Sequence, residues 1–203
     1  MIFIGDMHGD FKTYKYLLKK FKNEKTIQVG DMNIINELNL QENVFPENHK
    51  FIRGNHDNPE ICQKHPNYLG DYGYLEEEDI FFVSGGKSIN KDQLTPMVNW
   101  WEDEELSDKQ FYECIELYKN KKPSIVVSHE CPKSIKKWIL GAKIDFKSKT
   151  EVALQIMLEH HRPNTWIFGH HHMALTINEE GTDFYCLDKI DNNPNLELGY
   201  IEI

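Results

Sequence analysis

Apolar residues in this chain fall into short continuous runs, separated by stretches in which they recur at helical spacing. Met1 to Ile4 is an unbroken apolar run ended by Gly5, which predicts a strand buried on both faces. Phe11, Tyr14, Leu17, Leu18 and Phe21 then share one face of a helical repeat. Thr26 to Val29 closes on Gly30 and predicts a second strand, and Phe51-Ile52 before Gly54 predicts a third. Strand, helix and strand in that order give βαβ units, hence parallel pairing, at the N-terminal end.

Ile80 to Val83 and Ser124 to Val127 predict two more buried strands. Between them Ser107 and Gln110 have the form of a capping box, so a helix is expected from there towards Tyr118. Ser148 and Glu151 repeat that signal before a helix ending near His160. From Trp166 onward apolar runs alternate with turns, and Asn178 to Gly181 predicts the tip of an antiparallel hairpin. The expected fold class is α/β, parallel early and antiparallel late. A length of 203 residues suits one domain, 1–203, with a sizeable core.

Composition narrows the function more than the fold. A net charge of −10 argues against a general duplex-binding protein, which displays a basic face to phosphates. It leaves room for an anionic substrate, because bound divalent ions reverse the potential inside one cleft. Cys62, Cys114, Cys131 and Cys186 form no CxxC pair, so free thiols are expected rather than a zinc ribbon. No signal-like start and no apolar run of membrane-spanning length is present in the sequence, so a cytoplasmic location is expected.

The chemistry sits where the predicted strands end. Asp6 and His8 follow the first strand; if the backbone stays extended, residues two apart point to one side and can meet one ion. Asp31 follows the second strand, Asn55 and His56 the third, His129 the fourth, and His170 and His172 the fifth. Each piece alone is weak, since a Gly-Asp pair marks many turns; five in order, each after a strand, are specific. Mixed imidazole and carboxylate donors suit Mn, Fe, Zn, Ni or Co and disfavour Ca, which takes oxygen alone.

The ordered set Asp6-x-His8, Gly30-Asp31, Gly54-Asn55-His56-Asp57, Ser128-His129 and Gly169-His170-x-His172 resembles the calcineurin-like metallophosphoesterase superfamily over nearly the whole chain. The resemblance implies a sandwich of two mixed β-sheets flanked by helices, with a dinuclear metal site at the strand ends. It implies Asp6, His8 and His172 as ligands of a first ion, Asn55, His129 and His170 as ligands of a second, and Asp31 as the bridge. It also implies His56 as the acid that protonates the leaving group. Two ions about 3.5–4 Å apart clamp the entering and departing oxygens of an in-line displacement, with a bridging hydroxide as the nucleophile. Phosphoprotein phosphatases of the superfamily resemble Gly-Asp-x-x-Asp-Arg-Gly after the second strand, the second Asp steadying the leaving-group histidine. Here Ile34 and Ile35 replace that Asp and the Arg, so something else must orient His56.

Several residues carry competing readings. Arg53 is expected either to fork onto a substrate phosphate or to close a salt bridge at a strand end. In the loop from Ser84 to Lys91 and on to Trp100-Trp101, Lys87 and Lys91 are candidate phosphate contacts, and the indoles could stack on a nucleobase or cover the next helix. His171 is expected to point away from the ligands by strand alternation. His49, His65, His160 and His161 match no motif. The function expected is a metal-dependent phosphoesterase acting on a phosphomonoester or phosphodiester, with a nucleotide among the candidate substrates; the alternatives are a nuclease and a non-catalytic metal-binding scaffold.

Overall fold

The structure, a computed structural model, describes residues 1–89, 91–141 and 148–203. Its strands are β1 (Ile2–Ile4), β2 (Thr26–Gln28), β3 (His49–Phe51), β4 (Tyr72–Leu75), β5 (Ile80–Val83), β6 (Ile125–Ser128), β7 (Thr165–Phe168), β8 (Leu175–Glu179), β9 (Thr182–Cys186) and β10 (Tyr200–Glu202). Its helices are α1 (Phe11–Lys20), α2 (Glu37–Glu42), α3 (Pro59–Gln63), α4 (Asp108–Lys121), α5 (Lys133–Leu140) and α6 (Lys149–His160).

The strands form two mixed sheets, one in the order β10-β1-β2-β3 and the other β4-β5-β6-β7-β9-β8. In the first, β1, β2 and β3 run parallel and β10 returns antiparallel to β1. In the second, β5, β6, β7 and β9 run parallel, with β4 and β8 antiparallel at the edges. The late hairpin and β10 pair antiparallel as expected, while parallel pairing also extends to β9. It does so because β8 and β9, the predicted hairpin, add to β7 through β9. The hairpin tip is Glu180-Gly181, both at positive φ (50° and 87°), as a two-residue turn of the mirror-image type requires.

Alternation along each strand assigns its side chains to layers. Phe3, Ile27, Ile80, Phe82, Val127 and Ile167 face inward and form the apolar seam between the sheets. Ile2 and Ile4 face outward onto Tyr14 and Leu17 of α1 and Ile61 of α3. Phe81, Val126, Trp166 and Phe168 face the other way, onto Phe111 and Tyr118 of α4 and Leu154 and Met157 of α6. Fully burying each such side chain is worth about 1.5–3 kcal/mol. A strand covered on both faces must be apolar throughout, which is why these runs lack a polar alternation.

The capping box of α4 forms in both directions between Ser107 and Gln110. At α6 only half of the second signal forms: Ser148 accepts from the Glu151 N–H at 3.2 Å, while the Glu151 carboxylate turns to Lys136. The third strand begins earlier than expected, at His49, whose buried ring bonds to Thr26 Oγ1 at 3.0 Å across the sheet. All four cysteines are buried and unpaired. No helix among the described residues is long and apolar enough to cross a membrane.

Candidate metal centre

The parallel strands β1, β2, β3, β6 and β7 all end on the same edge of the sandwich, and the loops that follow them bring seven predicted ligands together. Asp6, His8, Asp31 and His172 form one group whose ligand atoms lie within 4.8 Å of each other. Asp31, His129 and His170 form a second group on the same criterion. The Asn55 amide oxygen joins it, 2.9 Å from His129 Nε2. Asp31 belongs to both: its Oδ1 lies 3.4 Å from His129 Nε2 and its Oδ2 lies 3.8 Å from His8 Nε2.

The backbone that presents these groups is not extended. His8, Asp31, His170 and His172 all have positive φ (43°, 56°, 67° and 50°), the left-handed region that non-glycine residues seldom occupy. The alternation argument for Asp6-x-His8 and for residues 170–172 thus gives way to tight turns. Such conformations persist only where their surroundings over-determine them, and they cluster at functional sites. The surroundings here are tight. A Cβ on Gly54 would run into the Asp31 carboxylate, and one on Gly169 into that of Asp6.

Further side chains lock the turns together. Asp57, beside His56, accepts from the N–H groups of Met32 (3.2 Å), Ile34 (3.0 Å) and Gly54 (2.8 Å), tying the Asp31 loop to the Asn55 loop. Gln28 donates to the carbonyl of Gly5 at 3.1 Å and accepts from the N–H of Gly30 at 3.0 Å. Asn55 donates from Nδ2 to Ser88 Oγ at 3.0 Å, and Ser88 donates in turn to Glu104 Oε2 at 2.6 Å. That chain turns the Asn55 oxygen towards His129. Ser88 and Glu104 escaped the sequence reading, because Glu104 sits in an acidic run that reads as a solvated face.

The donor set fits divalent ions on structural grounds. His8 Nε2 and His172 Nε2 face each other at 2.8 Å, and His170 Nδ1 faces His129 Nε2 at 3.2 Å, so imidazole nitrogens converge in both groups. Asp6 Oδ1 is buried without a hydrogen-bond partner. Burial would raise the Asp31 carboxyl, but the imidazoles of His129, His56, His8 and His170 outweigh it and hold Asp31 below the ordinary carboxylate range. Burial pushes His170 down to about 3, against the pull of Glu130, so its ring is neutral, as ligation requires.

The remaining predicted residues divide. The His56 ring lies beside His8, ring centres 5.5 Å apart, the residue is partly exposed, and its backbone N–H donates to Asp31 Oδ1 at 2.9 Å. Lys87 follows Gly86, where an added Cβ would come within 3.2 Å of the His129 ring. Lys91 is exposed, its ammonium 3.9 Å over the Trp100 ring, while Trp101 is buried; Asn90 of the same loop lies outside the described residues. Arg53 departs from the phosphate-binding expectation. Its buried guanidinium donates to Asp71 Oδ1 at 3.0 Å and to the Glu104 carbonyl at 2.7 Å, the salt-bridge alternative. His171 turns inward to Glu130 and Cys131, a third grouping of metal-ligand type. There Lys136, 3.5 Å from Glu130, already supplies the positive charge.

A family model described as calcineurin-like phosphoesterase matches residues 1–174. Among solved structures the chain is similar to a conserved uncharacterized protein from Streptococcus pneumoniae TIGR4, described as a predicted phosphoesterase. The identity is 12%, over 94% of this chain and 72% of that one, with a TM-score of 0.42. It is also similar to the phosphopantetheinyl hydrolase of Mycobacterium tuberculosis, with 11% identity over 93% of this chain and 89% of that one and a TM-score of 0.48. No curated protein matches the chain.

Proposed function

Because the chain belongs to the calcineurin-like phosphoesterase family, we propose that it hydrolyses a phosphomonoester or phosphodiester at a centre of two divalent ions. The observation that carries this reading is the sharing of Asp31 between two ligand groups at the strand ends. Asp6, His8 and His172 would hold the first ion, Asn55, His129 and His170 the second, and Asp31 would be shared between them. The donor types suit Mn, Fe, Zn, Ni or Co. Once bound, such ions supply positive charge for the phosphoryl oxygens and water of lowered pKa.

The chain's own groups supply the rest. Asp31 presents one oxygen to each ligand group, which fixes their spacing. His56 stands on the open side of the centre, next to partly exposed His8, where a leaving group can depart, and it gives that oxygen a proton. Its N–H bond to Asp31 anchors the backbone from which the ring projects. Lys87, one residue after Gly86, and Lys91, whose ammonium lies over the Trp100 ring, are the proposed contacts for a substrate phosphate. A nucleotide suits this arrangement, because Trp100 offers a ring face near a cation.

The test is a panel of nitrophenyl phosphate, bis-nitrophenyl phosphate, nucleoside monophosphates and cyclic nucleotides with protein loaded with Mn, Ni, Co, Zn or Mg. Metal-dependent turnover of at least one ester is the expected result. Protein that holds two ions and hydrolyses none of them would be a binding scaffold instead.

A further inference from the structure

We propose that Glu130 is a positioning residue for the second ion: its carboxylate fixes which nitrogen of His170 carries the proton and so aims the other at the metal. The inference rests on the reading of His170 as a ligand.

Glu130 follows His129 at the end of β6 and is completely buried. Its Oε1 accepts from His171 Nε2 at 2.8 Å and from the Cys131 N–H at 2.8 Å. Its Oε2 lies 3.4 Å from His170 Nε2 and 3.5 Å from the Lys136 ammonium. Neither Glu130 Oε2 nor His170 Nε2 has a hydrogen-bond partner, so the two unsatisfied buried atoms face each other at 3.4 Å. These two atoms are the natural complement of each other.

A neutral imidazole has a single N–H. With that proton on Nδ1, His170 would aim a donor into the ligand group and turn a lone pair onto a carboxylate. With it on Nε2, the N–H points towards Glu130 Oε2, 3.4 Å away, and the Nδ1 lone pair faces the space shared with His129 Nε2 at 3.2 Å. Only the second arrangement satisfies the carboxylate and serves a cation. Carboxylates placed behind metal-bound imidazoles act in this way generally, setting the tautomer and raising ligand basicity.

A buried carboxylate persists only if it is paired. Lys136, in α5, supplies the pairing, and it bonds in turn to Glu151 in the first turn of α6. The second ligand group is thereby tied through Glu130 and Lys136 to the helical layer that covers the six-stranded sheet. His170 is held by that layer rather than by its own turn alone.

The test uses the full chain. In zinc-loaded wild-type protein with 15N-labelled histidine, the His170 ring should carry its proton on Nε2 and none on Nδ1. In Glu130→Gln the second ion should bind about 10–100-fold more weakly, the usual effect of such a partner, while the first keeps its affinity. A proton on His170 Nδ1 in the wild type would overturn the proposal, and that measurement stands even if the variant does not fold. So would a folded Glu130→Gln protein that binds both ions with wild-type affinity. Wild-type protein that takes up no second ion would overturn the proposed function and this role with it. Uptake of both ions alike by wild type and variant would remove this role alone.

Discussion

The two halves of the centre are built differently although they share Asp31. In the half formed by Asp6, His8 and His172, the imidazole side chains are 23% and 41% exposed. In the half formed by Asn55, His129 and His170, the two imidazoles are 0% and 5% exposed. The buried half also has a partner behind each ligand: Ser88 and Glu104 behind Asn55, the Val29 carbonyl 2.9 Å from His129 Nδ1, and Glu130 behind His170. Both halves use turns at positive φ, but the open half has in addition only the contact of His172 with Asp6, and His172 lies at its rim. On the proposed reading, one half is preorganised before metal arrives, whereas the other would be completed by it. The second ion should therefore be retained and the first exchangeable.

The bridge is where the comparison is most easily broken. Asp31→Asn should remove more activity than the roughly 10²–10⁴-fold tied to a single acid–base group. A neutral amide serves neither half well, and metal analysis should show a missing ion. Two tightly held ions with substantial turnover would refute Asp31 as the bridge. His56 comes next, because it stands on the open side and is not a ligand. His56→Ala should keep both ions and cost roughly 10²–10⁴-fold on alkyl or nucleotide esters, with little loss on nitrophenyl esters, whose leaving group needs no proton. Equal losses on both would assign the ring to phosphate binding instead.

Chelation sharpens the contrast further. On titration with a chelator, one ion should leave well before the other, and His172→Ala should hasten the first departure without touching the second. His129→Ala should remove the second ion and also lower the melting temperature, since it empties a fully buried position. Simultaneous release of both ions from wild-type protein would contradict the division. The smallest expected effect is that of pH. Asp6 bonding raises His172, and Asp31 and Asp6 raise His129 against the opposing effect of burial, so both rings hold protons above the ordinary value near 6.5. Each must lose its proton to ligate, so affinity should begin to weaken above the ordinary imidazole value of about 6.5 as pH falls, with proton release on binding. Calorimetry in buffers of different ionisation enthalpy would register no proton release if these rings were already neutral.

The same contrast governs what could be read from the sequence. Ligands follow strand ends because parallel strands with short exits place their turns on one edge. Five such turns were therefore legible as motifs, as were the capping box of α4 and the Glu180-Gly181 hairpin tip. The partners behind the buried half were not. Glu104 looks solvated among its acidic neighbours, and only the fold brings Ser88 to it. Glu130 looks like one more charge after His129 until α5 carries Lys136 to it. Ile34 was legible as a departure from a phosphatase motif, but not as a member of the apolar cluster around α1, whose N–H anchors Asp57. An Asp at 34 would be a buried charge beside Asp57, so restoring the phosphatase pattern should destabilise the fold rather than steady His56. β4 was missed because Tyr72-Gly73-Tyr74-Leu75 is only partly buried and gains its place from pairing with β5.

The left-handed conformations of His8, Asp31, His170 and His172 also bear on how such a protein can change over generations. Each costs of order 1–3 kcal/mol, a sum comparable with the roughly 5–15 kcal/mol net stability of an ordinary domain. Selection for turnover must hold these side chains against a standing gain available to glycine at the same positions. A lineage released from that selection should drift to glycine first at His8 and His172, whose side chains are partly exposed, losing an ion while its melting temperature rises.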